Sequence, residues 1–182
     1  MASLKGLILC GGKSSRMKQD KTEVVYQNRP LLSYAVELFE KMELDFFLSI
    51  NQNQHSLSQI YQCIEDEYAE IGPIGGIVSA MKSLKSNLLV IPVDMPYLDP
   101  TLLETLVGKT SIHELVKCFE LNGKIEPFPS IWHLQSIARL ELFIAEKQLS
   151  IQRCISQLPH QLITTQETNA FRNLNFPENL NE

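Results

Sequence analysis

Residues 4–21, LKGLILCGGKSSRMKQDK, join an apolar run, Leu4 to Cys10, to the pair Gly11-Gly12 and then to Lys13, Ser14, Ser15, Arg16, Lys18 and Lys21. Two successive glycines can take positive φ and bring backbone N–H groups against a polyphosphate, while the cations that follow supply charge. Residues 1–21 hold five of the sixteen Lys and Arg residues and one acid, Asp20, a formal charge of +4 in a chain of net −5. Positive charge is therefore gathered where a phosphate-rich ligand would sit, not spread along a face as a nucleic-acid binder requires. A second reactive group stands far along the chain, where the buried-looking run NLLVIPVD ends in Asp94. One carboxylate at a strand tip is the hard oxygen ligand that magnesium triphosphate chemistry needs. Read alone, Asp94 could equally be a turn residue.

Two common glycine motifs do not fit. A Walker A loop ending in Gly12-Lys13-Ser14 needs glycine at position 7, which is Leu7, and Gly6 is one residue out of register. The dinucleotide fingerprint G-x-G-x-x-G fails because Gly11 and Gly12 are adjacent and no third glycine follows. Local physics leaves a plainer alternative open, a strand ending in a Gly-Gly turn with solvated lysines.

These groups need a scaffold, and 182 residues suit one domain that buries roughly 70% of its unfolded surface. A hydrophobic content of 44% and a charged content of 20% are those of an ordinary globular chain. The opening apolar run is too short for a signal peptide and no stretch is long enough to span a bilayer, so the cytoplasm is the expected location. Cys10, Cys63, Cys118 and Cys154 lack C-x-x-C or His spacing, which points to free buried thiols rather than zinc or redox chemistry. The four histidines are equally scattered.

Strands and helices alternate. After Leu4–Cys10 come a short extended piece at 23–27, a turn at Asn28-Arg29-Pro30, and a helix over 31–42 with a wide apolar stripe. A buried strand over 45–51 ends on Asn51, the position where parallel sheets bind ligands. Residues 52–63 are polar with a weak helical period and carry no visible motif. The turn Ile71-Gly72-Pro73-Ile74-Gly75-Gly76 exposes the N-terminal amides of the helix that follows it, against which a base edge could lie. Asp66, just before that turn, belongs to an acidic run with Glu65, Glu67 and Glu70 and reads locally as solvated. A strand over 87–94 leads to a helix over 101–107 capped by Asp99, and Asn122-Gly123 marks a hairpin. Residues 126–132 read as a further strand, followed by helices over 134–146 and 151–158. The pattern predicts a three-layer α/β/α sandwich with a mostly parallel, Rossmann-like sheet and a small antiparallel element near 114–132.

The motif L-x-G-G-x-S-x-R-M-x-x-D-K, completed by Lys21, resembles the signature loop of the molybdenum cofactor guanylyltransferases, also called molybdopterin-guanine dinucleotide synthases, of the glycosyltransferase-A-like nucleotidyltransferase fold. Agreement continues through G-P-I-G-G at 72–76, V-D-M-P-Y-L at 93–98 and the F-x-N-x-N-x-P-E of Phe171 to Glu178, in the family's order. Departures are Cys10, where the family usually has Ala, and Lys18, where it usually has Gly.

The resemblance implies that Leu9, Cys10, Gly11, Gly12 and Lys21 bind the nucleotide and its triphosphate, with Arg16 and Lys21 stabilising phosphate charge. It makes Asn51 a nucleoside contact and Asp66 the acceptor for the guanine N1–H and N2–H donors, a role suited to an acceptor-only carboxylate. By the same resemblance Asp94 holds Mg2+, Asn173 and Asn175 face the second substrate, and an E-P pair such as Glu126-Pro127 lies on the substrate side. The implied reaction, in a single domain over residues 1–182, carries GMP from GTP to the terminal phosphate of molybdopterin with release of pyrophosphate. Transient contact with acceptor or biosynthesis proteins is also implied, and neither nucleic acid nor membrane. Alternatives are a cytidylyltransferase on the same cofactor, a sugar-phosphate nucleotidyltransferase, or a nucleotide-binding module without turnover.

Overall fold

A computed structural model of the chain describes residues 3–11, 20–68, 71–108 and 113–174. In chain order the strands and α-helices are β1 (Leu4–Leu9), β2 (Val25–Tyr26), β3 (Arg29–Pro30), α1 (Leu31–Lys41), β4 (Phe46–Ile50), β5 (Cys63–Glu65), α2 (Pro73–Leu84), β6 (Asn87–Pro92), α3 (Pro100–Val107), β7 (Val116–Leu121), β8 (Lys124–Trp132), α4 (Ile137–Ala145), α5 (Ile151–Gln157) and β9 (His160–Thr165). Seven strands form one sheet in the order β5-β4-β1-β6-β8-β7-β9, and β2 pairs with β3 in a separate small hairpin.

Strand pairing is parallel from β5 through β4 and β1 to β6, and again between β7 and β9. Only β8 runs against its neighbours, antiparallel to both β6 and β7. The expected antiparallel element therefore lies inside the main sheet. Residues 124–132 form one continuous strand, where the sequence suggested a break at Glu126, because pairing with β7 resumes after a register shift opposite Cys118 and Phe119.

Alternation along the strands builds two cores. Ile8, Leu48, Ile50, Leu89 and Ile91 face α1 and α3, while Leu7, Leu9, Leu88, Val90 and Trp132 face α2, α4 and α5. These are the two outer layers the apolar stripes require. The stretch 52–63 is better ordered than its composition suggested. It holds a 3-10 helix, Gln52–Gln59, and then β5, an edge strand too short and too polar to signal itself. Strand β9 also went unpredicted, since His160–Thr165 lacks a long apolar run and is held by register with β7. Asp99 caps α3 as expected, accepting a hydrogen bond from the Leu102 N–H at 2.9 Å. Among the described residues no helix is long and apolar enough to cross a membrane.

Gly6 shows how closely α1 packs on the sheet. A Cβ there would lie 2.8 Å from the Phe46 Cβ and 3.0 Å from the Phe39 Cε2. Gly6→Ala is expected to lower stability by about 1–3 kcal/mol through overpacking, whereas Gly108→Ala, which meets only ordinary contacts, should stay within about 0.5 kcal/mol. Urea midpoints of the two variants check this, and equal midpoints would disprove tight packing at Gly6.

Candidate active site

The carboxyl ends of β1, β4, β5 and β6 lie along one edge of the sheet, and Cys10, Asn51, Asp66 and Val93-Asp94 follow them. Because β8 is reversed, its first residues come to the same edge. After β1 the chain crosses to β4 through α1 on one face, and after β5 it crosses back to β6 through α2 on the other. The crevice between β1 and β6 is thus a topological switch point, where open α/β sheets bind ligands.

A cavity of about 270 Å³ occupies that crevice, bordered by Leu9, Gly11, Lys21 and Asp94 and also by Glu126, Pro127, Phe128, Phe171 and Asn173. At its centre the Lys21 ammonium donates to Asp94 Oδ2 at 2.5 Å. Asp94 is only 8% exposed, so its charge is balanced largely by that pair. The Asp94 carbonyl in turn accepts from the Leu174 N–H at 2.9 Å, which fastens the C-terminal segment across the loop after β6. Phe171 and Leu174 are buried beside it, and Asn173 between them borders the cavity.

Gln54, in a stretch whose sequence carries no visible motif, ties the end of β1 to Asp20. The Gln54 amide NH2 donates to the Cys10 carbonyl at 3.3 Å and to the Asp20 carboxylate at 2.9 and 3.0 Å. Its Oε1 accepts from the Asn51 N–H at 3.1 Å, and the side chain is 4% exposed. Asp20 also accepts from the Thr22 N–H and hydroxyl, at 2.9 and 2.8 Å, setting the turn that delivers Lys21. The one available signal was a glutamine three residues after Asn51, the spacing of a capping box.

Of the residues proposed from sequence, Leu9, Gly11, Lys21, Asp94, Glu126, Pro127 and Asn173 meet at the cavity. Gly12, Arg16 and Asn175 lie outside the described residues. Cys10 turns its thiol into the core, where burial pushes its pKa far up, so its carbonyl is what it offers locally. Asn51 does not border the cavity. Its Oδ1 accepts from the Asn53 N–H at 2.8 Å and caps the 3-10 helix.

Asp66 sits farther along the edge, half-buried against the start of α2. Its Oδ1 accepts from the Tyr68 N–H at 2.8 Å and lies 3.2 Å from the Ser79 hydroxyl. Burial raises its pKa, and those two contacts oppose the shift. Gly75 permits this approach, and Gly76 lets α2 pack closely on β4. A Cβ on Gly75 would stand 2.8 Å from Asp66 Oδ1, and one on Gly76 would stand 2.3 Å from Ser49 Oγ.

Such an arrangement can neutralise phosphate at Lys21, offer a hard cation the Asp94 carboxylate, seat a nucleoside toward Asp66 and α2, and hold a second ligand toward β8. Comparison with known proteins agrees in fold. A protein of Flavobacterium johnsoniae named as a probable molybdenum cofactor guanylyltransferase is 26% identical over 100% of this chain and 97% of its own length. The crystal structure of molybdopterin-guanine dinucleotide biosynthesis protein A from Archaeoglobus fulgidus superposes with a TM-score of 0.81 at 22% identity, covering 97% of this chain and 95% of that one. Rv0371c of Mycobacterium tuberculosis, solved in complex with manganese, superposes at 0.64 with 11% identity over 91% and 90% of the two chains. Residues 6–162 match the MobA-like NTP transferase domain, and the chain belongs to that enzyme family.

Proposed function

We propose that the protein transfers GMP from GTP to the terminal phosphate of molybdopterin, forming molybdopterin guanine dinucleotide and pyrophosphate. The observation that carries the reading is the Lys21–Asp94 pair in the cavity between β1 and β6, beside Gly11. Supporting it are the carboxylate of Asp66 at the start of α2, with Oδ2 free of partners among the described residues, and the name of the Flavobacterium relative.

The acceptor phosphate is anionic near neutral pH, so no general base is required. The chain's work is alignment and charge neutralisation. Lys21 exchanges its bond to Asp94 for phosphate oxygens, and Arg16, with the amides of Gly11 and Gly12, adds positive potential along the triphosphate. Asn173, on the cavity wall, and Asn175 orient the pterin. The Asp94 carboxylate, a hard oxygen donor on the cavity wall, fits Mg2+, which when bound would polarise the phosphates. The reading takes residues 1–182 as one domain acting in the cytoplasm and passing its product on by transient protein contact.

Thermal shifts with GTP, CTP, ATP and UTP, each with and without magnesium, test the base and metal assignments. GTP alone should raise the melting temperature, more so with magnesium, and Asp66→Asn should weaken that preference. A CTP preference would overturn the guanylyl assignment. Lys21→Ala and Asp94→Ala should each lower pyrophosphate release at least about 100-fold, and a near-normal rate in either would remove that residue from the mechanism. Gln54→Leu keeps the side chain's bulk but loses its hydrogen bonds, and should raise the KM for GTP about tenfold, on the order of one charge-assisted hydrogen bond. An unchanged KM would mean that the loop needs no such support.

A further inference from the structure

Glu126 is a carboxylate on the wall of the cavity, and the transfer chemistry above gives it no contact. It lies at the irregularity of β8, where Glu126 pairs with Phe119 and Ser130 pairs with Cys118, so residues 127–129 are extra on the β8 side. Such bulges re-aim side chains beside active sites. Here Glu126, Pro127 and Phe128 all border the same cavity as Lys21 and Asp94. The Glu126 carboxylate is partly buried and has neither a hydrogen bond nor an ion pair among the described residues. Burial pushes its pKa up, with only Lys124 opposing. A partly desolvated, acceptor-only group of this kind calls for a ligand that brings N–H donors.

Resting on the guanylyl-transfer reading, we infer that Glu126 determines acceptor specificity by receiving the paired N3–H and 2-amino donors of the pterin ring, seated between Pro127, Phe128 and Phe171. An anionic part of the acceptor would be repelled by this carboxylate, so the phosphate must point away from it, toward Lys21. That is the orientation the transfer needs. Guanine and a 2-amino-4-oxo pterin present the same donor edge, and the sheet supplies a carboxylate for each. Asp66 follows β5 and Glu126 lies on β8, four interstrand steps apart, roughly 19 Å. The Lys21–Asp94 pair lies between them, as the phosphates lie between the two rings of the product.

Fluorescence titration of the full-length protein with 6-hydroxymethylpterin and with 6-hydroxymethyllumazine, which carries oxygen in place of the 2-amino group, tests this directly. The wild type should bind the pterin at least about tenfold more tightly, the scale of a hydrogen bond to a charged group. Glu126→Gln should lose that discrimination while keeping its melting temperature, its GTP affinity and its magnesium dependence. Should Glu126→Gln fail to fold, Glu126→Asp serves, retaining preference for the pterin at reduced affinity. Equal affinities for the two probes, no binding of either at millimolar concentration, or unchanged discrimination in Glu126→Gln would each overturn the inference. So would altered magnesium dependence of GTP binding, which would make Glu126 a metal ligand. A wild type that binds GTP but does not discriminate the probes defeats this inference alone. One that discriminates the probes but does not bind GTP defeats the guanylyl reading instead.

Discussion

One buried amide ties together three chain segments at the carboxyl end of the sheet. Gln54 bonds to the carbonyl of Cys10 where β1 ends, to the carboxylate of Asp20 where the chain comes back, and to the N–H of Asn51 where β4 ends. Cys10 and Asp20 come from a distant part of the sequence, and Asp20, which Thr22 also serves, is tied by this amide to the ends of β1 and β4. An amide suits the position because it donates and accepts at once; a carboxylate would repel Asp20, and an apolar side chain would leave the partners unpaired. The placement of Lys21, one residue past Asp20, depends on this brace.

The rest of the site follows from sheet topology. Four parallel strands deliver their carboxyl ends to one edge, and the crossing of the chain from one face to the other leaves a crevice at β1 and β6. The reversed β8 then adds a wall from the opposite direction, and the segment Phe171 to Leu174 closes over it through the backbone of Asp94. One part of the crevice is thus built from strand ends and a helix start, the other from a bulged strand and a docked segment.

Much of this was legible in the chain. Continuous apolar runs predict the strands β1, β4 and β6, and Gly11 and Asp94 stand just past the tips of β1 and β6, where a parallel sheet binds ligands, with Lys21 brought back to the same cavity. What escaped was whatever depends on partners rather than on local pattern. Strands β5 and β9 are edge strands whose residues are neither strongly apolar nor alternating, so only their neighbours make them strands. Gln54 is invisible as chemistry because nothing near it in sequence reveals that Cys10 and Asp20 lie within its reach. Asn51 illustrates the reverse, since a residue singled out for a ligand spends its side-chain oxygen on its own helix.

The ion pair of Lys21 and Asp94 has one more consequence. A site that has already cancelled its own charges resists any ligand carrying only one sign of charge, since an anion taken up by Lys21 strands the carboxylate of Asp94 and a cation taken up by Asp94 strands the ammonium. Two ligands of opposite sign arriving together strand neither. On the proposed reading, nucleotide and divalent ion are therefore positively coupled by the pocket itself, and linkage makes that coupling equal in both directions. The ion concentration of the surroundings would then set how much nucleotide the protein holds, and the nucleotide level how firmly it keeps its ion.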